Sequence, residues 1–477
     1  MSSESTLSPT AAARPPLDIA ALVKQHAGTN YELQAEHINP ANVRTLKTIG
    51  FDRCYTRAEG QYLWDIKGEK YLDLLSGYGV FGLGRNHPEV RRVLKEFLDL
   101  DYPSLVKMEA PLLSGLLAAE LKKRMPHDLD MVFFTNSGAE GVETALKYAK
   151  CATGKPALIH CKKSFHGLSG GALSVNGDDS FRSGFAPFMP DCREIAFNDL
   201  DALEKELKKG DVAGFIVEPI QGKGVNLPTP GYLLAAQQLC RKHGALFIDD
   251  EVQSGMGRTG KFLAIEHEGA VDPDIVILAK TLSGGFVPVG AVLCKKWIHD
   301  KVFSSMQRSV VHSSTFSQGS FAMAAGLAAL DVLDRENLIA NAAKMGDLIG
   351  QGVQAMIPRF EFMKEVRWRG LMVGIEFGSP RSISLKLAWT TCHALDKSLF
   401  PQAAVIPLMD KHHIITQVAG HGVDVVKLLP PLIINEADVK QFLTAFEDVM
   451  VQMHKFPGPA WDVLTGIGKM ALTQRAR

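Results

Sequence analysis

The chain has 477 residues, 46% of them hydrophobic and 22% charged, with 52 basic side chains balanced by 52 acidic ones. That length supports a large core and two or three packed units, while the charge balance leaves no net field to attract nucleic acid or an anionic membrane. The seven cysteines (Cys54, Cys151, Cys161, Cys192, Cys240, Cys294, Cys392) are scattered and never spaced as CxxC, which argues against a disulfide framework or a zinc site and for a reducing, cytoplasmic setting.

Residues 1–16 are polar and proline-containing, with no apolar stretch of the kind a secretory signal needs, and read as a disordered tail. No apolar run reaches bilayer-spanning length. From Leu17 to Phe51 the pattern is mixed and helical in part. Tyr62 to Asp73 alternates apolar and polar about Lys67-Gly68, a hairpin pattern. A glycine-rich loop, Ser76 to Pro88, carries Tyr78 and Phe81. Met131–Thr135 reads as a strand, and Asn136-Ser137-Gly138-Ala139-Glu140 feeds a helix over Gly141–Lys150. Such a helix start is either an anion site or a plain N-cap. Ala157–Cys161 is the next strand, with Ser164-Phe165-His166-Gly167 beyond it, and Val212–Val217 is a buried strand ending in Glu218. Tyr232–His243 reads as a crossover helix.

Two short apolar runs, Ala245–Ile248 and Ile275–Ala279, are too brief for helices and read as buried parallel strands. Asp249, Asp250 and Glu251 follow the first, and Lys280 follows the second. Ligands in open α/β sheets bind beyond the carboxyl ends of the strands, so a carboxylate and a lysine are expected in one cleft. A desolvated lysine is the side chain suited to Schiff-base chemistry. Pyridoxal phosphate (PLP) sites pair such a lysine with an acid that keeps the pyridine ring protonated. On these two residues alone, a strand-end salt bridge is as good a reading. Further on come a strand over Gly290–Leu293, an alanine-rich helix from Phe321, a strand over Trp368–Phe377, a closing strand over Val426–Ile434 and an extension past Pro457 with no assigned role.

The run Asp250-Glu251-Val252-Gln253-Ser254-Gly255-Met256-Gly257-Arg258-Thr259-Gly260, followed by Lys280-Thr281-Leu282-Ser283-Gly284-Gly285, closely resembles the signature of class III (ω-type, subgroup II) aminotransferases. Matching segments extend from about Tyr62 to Leu432. The resemblance implies an α/β chain of fold type I, with a mostly parallel central sheet flanked by helices and a smaller α+β domain. The implied division is a tail and arm (1–40), the first part of the small domain (41–100), a large PLP-binding domain (101–330) and the rest of the small domain (331–477). By resemblance Lys280 forms the imine with PLP, Asp250 pairs with the pyridine nitrogen, and Gln253 bonds the ring 3-hydroxyl. Phe165 and Val252 sandwich the ring, Glu218 is an acid beside the cofactor, and Ser137, Gly138 and Ala139 hold the phosphate. Many members carry serine where this chain has Ala139. Thr315 matches a threonine that reaches the phosphate of the neighbouring subunit, which implies a homodimer. His166 is read as a pocket wall or structural group.

Tyr78, Phe81 and Lys427 are expected to line the substrate side. Two departures bear on the substrate. Lys427 stands where acid-specific members carry an arginine that grips a carboxylate with two parallel hydrogen bonds. Lys223 stands in place of a gating glutamate. Both incline the substrates toward an amine and an aldehyde or ketone lacking an α-carboxylate on one side. Phe165 to Ser174 is also similar to transaminase domains of secondary-metabolite pathways, prodigiosin-type ones among them. The expected reaction is ping-pong transfer of an amino group from an amine or amino acid donor to an aldehyde, ketone or 2-oxo acid acceptor. The alternatives are an aminomutase or decarboxylase on the same scaffold, or a non-catalytic PLP-binding protein.

Overall fold

A computed structural model describes residues 16–126, 128–395, 399–455, 458 and 461. The expected disordered tail and almost all of the extension past Pro457 lie outside the described residues. A seven-stranded sheet forms the centre, in the order Met131–Thr135, Gly290–Cys294, Ile275–Leu278, Leu246–Asp250, Val212–Val217, Ala157–Cys161, Cys192–Ile195. Gly290–Cys294 runs antiparallel to both neighbours, and the remaining pairs are parallel. Every residue of Val212–Val217, Leu246–Asp250 and Ile275–Leu278 is buried. Both faces of a parallel sheet are covered, which is why these segments read as apolar runs without alternation. Val142, Ala145 and Leu146 of helix Gly138–Thr153 pack on Ile216, Ile248 and Ile277 on one face. Helices Tyr232–Lys242 and Ser320–Arg335 belong to the cluster on the other, with Phe215, Phe247 and Val276.

Two four-stranded sheets flank this centre. In one, the expected hairpin forms from Tyr62–Asp65 and Lys70–Asp73, with Tyr55–Glu59 outside it and Ile414–Ile415 added in parallel to Lys70–Asp73. The other is antiparallel throughout: Met363–Arg369, Met372–Phe377, Val425–Leu428, Gln417–Val418. The N-terminal stretch forms three short helices, Ile19–Gln25, Asn30–His37 and Pro40–Thr48, whose only buried residue is Val43.

Several boundaries differ from expectation, most by a residue or so, and four have a clear physical reason. The strand expected to end at Ile248 continues through Asp249 and Asp250, which pair with Val276 and Ile277, so both acids sit in the ladder. The helix expected from Gly141 starts at Gly138, because Ser137 caps it by accepting from the Glu140 amide at 3.1 Å. Trp368–Phe377 is a hairpin turn rather than one strand: the chain reverses at Gly370, whose φ of +48° suits glycine. The closing strand stops at Leu428, since Pro430 and Pro431 have no N–H for a ladder. Gly346 of helix Leu338–Met356 lets that helix close onto the Gly370 turn, because a Cβ on Gly346 would lie 2.0 Å from the Gly370 carbonyl oxygen.

Candidate active site

Three neighbouring parallel strands deliver three charged groups at their carboxyl ends. Val217 pairs with Asp249 and Asp250 with Ile277, so Glu218, Asp250 and Lys280 emerge side by side. Lys280 begins a short 3₁₀ turn, Lys280–Ser283, with φ of +45°, a left-handed conformation that costs a side-chain-bearing residue energy. Its Nζ makes no hydrogen bond or ion pair among the described residues. Burial lowers the Lys280 pKa below its ordinary value, and the nearby Asp250 and Glu218 oppose that shift. An amine held here is biased toward its neutral, nucleophilic form.

Asp250 is 3% exposed. Its Oδ1 accepts from the Val252 amide at 3.1 Å, and its Oδ2 lies 2.7 Å from His166 Nδ1. A carboxylate can only accept, so Nδ1 is the donor, and His166 orients Asp250 rather than merely walling the pocket. The signal for this was adjacency to Phe165, but only the fold brings the ring to an acid 84 positions away. Glu218 is buried and accepts from the Phe165 amide at 3.0 Å and the Gly222 amide at 2.9 Å. Burial pushes its carboxyl upward, with His166 opposing and Asp250 adding.

Gln253 Nε2 donates to the Tyr78 carbonyl at 3.2 Å, while its Oε1 accepts from Lys427 Nζ at 3.3 Å. Lys427 is 6% exposed and also donates to the Gly222 carbonyl at 2.9 Å. Burial, reinforced by the neighbouring Lys280, brings its pKa down to about 7. Phe165 is 38% exposed and meets Phe181 edge-on, with ring centres 5.3 Å apart. A Cβ on Gly138 would lie 2.8 Å from Val252, and one on Gly167 would lie 2.7 Å from the Ala139 Cβ. The glycines therefore let the helix start close onto Val252 and onto the Phe165-His166-Gly167 segment. The first-turn amides at Gly138 and Ala139 have no intrahelical partner and, with the helix dipole, favour an anion.

The substrate-side residues fall in different places. Tyr78 is 60% exposed and meets Gln253 only through its backbone. Phe81 stacks under the Arg85 guanidinium at 4.1 Å and against Gly285, where a Cβ would be 2.5 Å away. Thr315 is exposed, on a loop fixed by His312 to Thr144 and Lys147, each at 2.8 Å, and by Ser314 to Asn136 at 2.8 Å. Lys223 pairs with Asp178 at 2.5 Å. Burial raises the Asp178 pKa, but Lys223 and Ser180 outweigh it and leave that carboxyl below its ordinary value.

Two further acids went unnoticed as a pair in the sequence. Asp249 points to the opposite face from Asp250, is fully buried, and neither of its oxygens has a hydrogen-bond partner among the described residues. Glu251 accepts from Ser254 Oγ at 2.5 Å and the Ile265 amide at 2.8 Å. Burial pushes Glu251 up to about 8, and burial together with Glu251 and Asp250 puts Asp249 well above its usual range.

PLP fits this arrangement: an unbonded lysine amine, a buried carboxylate, a partly exposed aromatic ring and an anion-binding helix start converge at one sheet edge. Among the described residues, no group of three or more His, Cys, Asp or Glu side chains could hold a metal ion, and no helix is long and apolar enough to cross a membrane.

Residues 46–450 match the family described as Aminotransferase class-III. The aminotransferase PigE of Serratia sp. (strain ATCC 39006) is 35% identical over 472 residues, covering 92% of this chain and 55% of that protein. The chain thus spans about half the length of this curated relative. Among solved structures, the ornithine aminotransferase of Toxoplasma gondii is 30% identical with a TM-score of 0.74, over 84% of this chain and 91% of that one. An (S)-enantioselective ω-transaminase of Thermomicrobium roseum is 28% identical with a TM-score of 0.77, over 92% and 99%.

Proposed function

The chain belongs to the class III aminotransferases, a PLP-dependent family with the fold type I architecture, and from that membership we propose that it transfers an amino group by ping-pong chemistry centred on Lys280. The observation that carries the reading is the free Lys280 amine set beside Asp250 and Glu218 at the ends of adjacent strands. When bound, PLP supplies an aldehyde for condensation with amines and a ring that accepts the electron pair left by loss of a proton from the substrate carbon.

The protein does the rest. Asp250, oriented by His166 and by the Val252 amide, holds positive charge at the ring nitrogen. The amides of Gly138 and Ala139, beside the capping Ser137, hold the phosphate. Val252 and Phe165 would hold the ring, and Gln253 would stand beside its 3-hydroxyl on exchanging its bond to the Tyr78 carbonyl. Lys280 Nζ takes the proton from the donor's carbon as base in the first half-reaction and gives one to the acceptor's carbon as acid in the second, which needs the neutral amine that burial favours. Each half-reaction uses the same lysine, so donor product must leave before acceptor binds.

For substrates, Lys427 in place of arginine and Lys223 already paired with Asp178 favour an amine donor and an aldehyde or ketone partner without an α-carboxylate. Tyr78 and Phe81 belong to the substrate side of the cleft in this reading. We assign the working unit as a cytoplasmic homodimer, with Thr315 reaching the partner's phosphate site, supported by its exposed loop and the exposed Val310 and Phe316 around it. The division at 40, 100 and 330 into arm, large domain and two-part small domain belongs to the same reading. The test is borohydride reduction of the holoenzyme followed by peptide mapping, with a donor and acceptor panel alongside. The cofactor mass should appear on Lys280, and Lys280→Ala should lose turnover. Undiminished turnover in that variant would sink the assignment.

A further inference from the structure

Ser76 and Tyr78 have φ of +45° and +62°, left-handed conformations that cost side-chain-bearing residues energy, so the turn Ser76–Gly79 keeps its shape only where other groups hold it. Two successive carbonyls of this turn are held from the cofactor side. Gln253 Nε2 donates to the Tyr78 carbonyl at 3.2 Å, and Thr281 Oγ1 donates to the Gly79 carbonyl at 2.9 Å. Both ends of the second bond are buried: Thr281 is 6% exposed and Gly79 is enclosed. A Cβ on Gly82 would lie 2.5 Å from Thr281 Oγ1 and Cγ2, so the backbone boxes the threonine into the rotamer that reaches Gly79. Phe81 fills the space between the two turns, since a Cβ on Gly77 would lie 3.0 Å from its ring and one on Gly285 2.5 Å. Thr281 directly follows Lys280. In the proposed chemistry Gln253 gives up its bond to Tyr78 for the cofactor, and the Thr281–Gly79 bond then joins the Tyr78 turn to the Lys280 turn.

We propose that Thr281 is a positioning residue that sets substrate specificity through Tyr78: its hydroxyl holds the Gly79 carbonyl and thereby fixes where the Tyr78 ring stands relative to the Lys280 amine. The inference rests on the aminotransferase reading of the site, in which Tyr78 faces the substrate. The 60% exposed Tyr78 offers a flat apolar ring, suited to the hydrocarbon body of an amine rather than to a carboxylate. Removing the hydroxyl leaves a buried carbonyl unpaired and lets a strained turn relax. The ring then loses its place, while the strand Ile275–Leu278 still delivers Lys280.

The experiment compares wild type with Thr281→Val, which keeps the shape without the hydroxyl, and Thr281→Ser, which keeps the hydroxyl, each also in a Tyr78→Ala background. Thr281→Ala, smaller and also without the hydroxyl, guards against a valine variant that does not fold. Holoenzyme is bleached with benzylamine, n-butylamine or alanine, and the amine effective on wild type at the lowest concentration is used throughout. Thr281→Val should raise the half-saturating amine concentration roughly tenfold and change the limiting rate by less than about twofold, while Thr281→Ser follows wild type. In the Tyr78→Ala background the valine change should have no further effect. Hydrogen exchange of the amides over residues 76–83 should be faster in Thr281→Val with or without cofactor, a readout independent of turnover. An unchanged half-saturating concentration, a loss confined to the limiting rate, unchanged exchange, or an effect that persists without the Tyr78 ring would each overturn the proposal and leave the aminotransferase reading standing. A wild-type holoenzyme bleached by none of these amines would overturn that reading instead, and this inference with it.

Discussion

Asp249, Asp250 and Glu251 are three consecutive acids with three different fates. Strand alternation sends Asp250 to the face where His166 and Lys280 wait, and sends Asp249 into the opposite apolar layer. An unpaired buried carboxylate is costly, so the group keeps its proton instead. In the folded chain Asp249 and Glu251 hold protons that the unfolded chain releases in the ordinary carboxylate range. The native state thus binds more protons, and stability falls as pH rises from about 4 to about 8, the upper bound being the raised Glu251. Asp249→Asn needs no proton to stay neutral. Its urea midpoint should match wild type below about pH 4 and exceed it increasingly toward pH 8; parallel curves would contradict the argument. The sequence showed that charge stood at the strand ends, which was enough to single out Asp250 and Lys280. It did not show which acid faced which side, since that depends on where the strand stops.

At the scale of elements, short apolar runs bounded by turns were legible because burial on both faces leaves a simple signature. Six of the seven central strands were legible in this way; the half-exposed edge strand Cys192–Ile195 was not, and two strands bordering the site were misplaced by one or two residues at their ends, Leu246–Asp250 running two further and Ile275–Leu278 one less. The outer hairpin was less legible: Trp368 to Phe377 reads as one apolar-rich strand because a single glycine makes the turn. Gly370 pairs a positive φ with contact on the Thr259–Gly260 backbone, where a Cβ would lie 2.4 Å from the Thr259 carbonyl carbon. Gly370→Ala should therefore cost about 2 kcal/mol or more, read as a lowered urea midpoint. A neutral result would mean that the turn relaxes freely. Gly350 works similarly against Trp368, where a Cβ would approach to 2.2 Å. Such contacts between distant glycines and their neighbours leave no mark in local periodicity.

Across the whole molecule, the two ends of the chain close over the site together. The Leu429 amide donates to Leu74 at 2.8 Å and the Leu432 amide to Gly82 at 2.7 Å, while Ile414–Ile415 extends the N-terminal sheet. No reading along the chain could pair residues more than 340 positions apart; only the family resemblance pointed that way. Apolar side chains left in solvent mark a different closure. Met306, Val310 and Phe316 are 89%, 74% and 69% exposed near Thr315, an arrangement expected of a surface made to be covered. Sedimentation should give a particle of twice the chain's 52.0 kDa, and Phe316→Asp should shift it toward one chain and reduce bound PLP. A one-chain particle with full cofactor content would refute the shared site.

The twisted backbone at Lys280 has a cost that falls on the fold, not on the reaction. Its φ of +45° is a conformation glycine adopts freely and lysine does not. Lys280→Gly, stripped of cofactor, should therefore outlast cofactor-free wild type on heating by the equivalent of about 1 kcal/mol, while being inert. On the proposed mechanism the chain would then be least relaxed at the residue that carries the reaction, with durability given up for reactivity there.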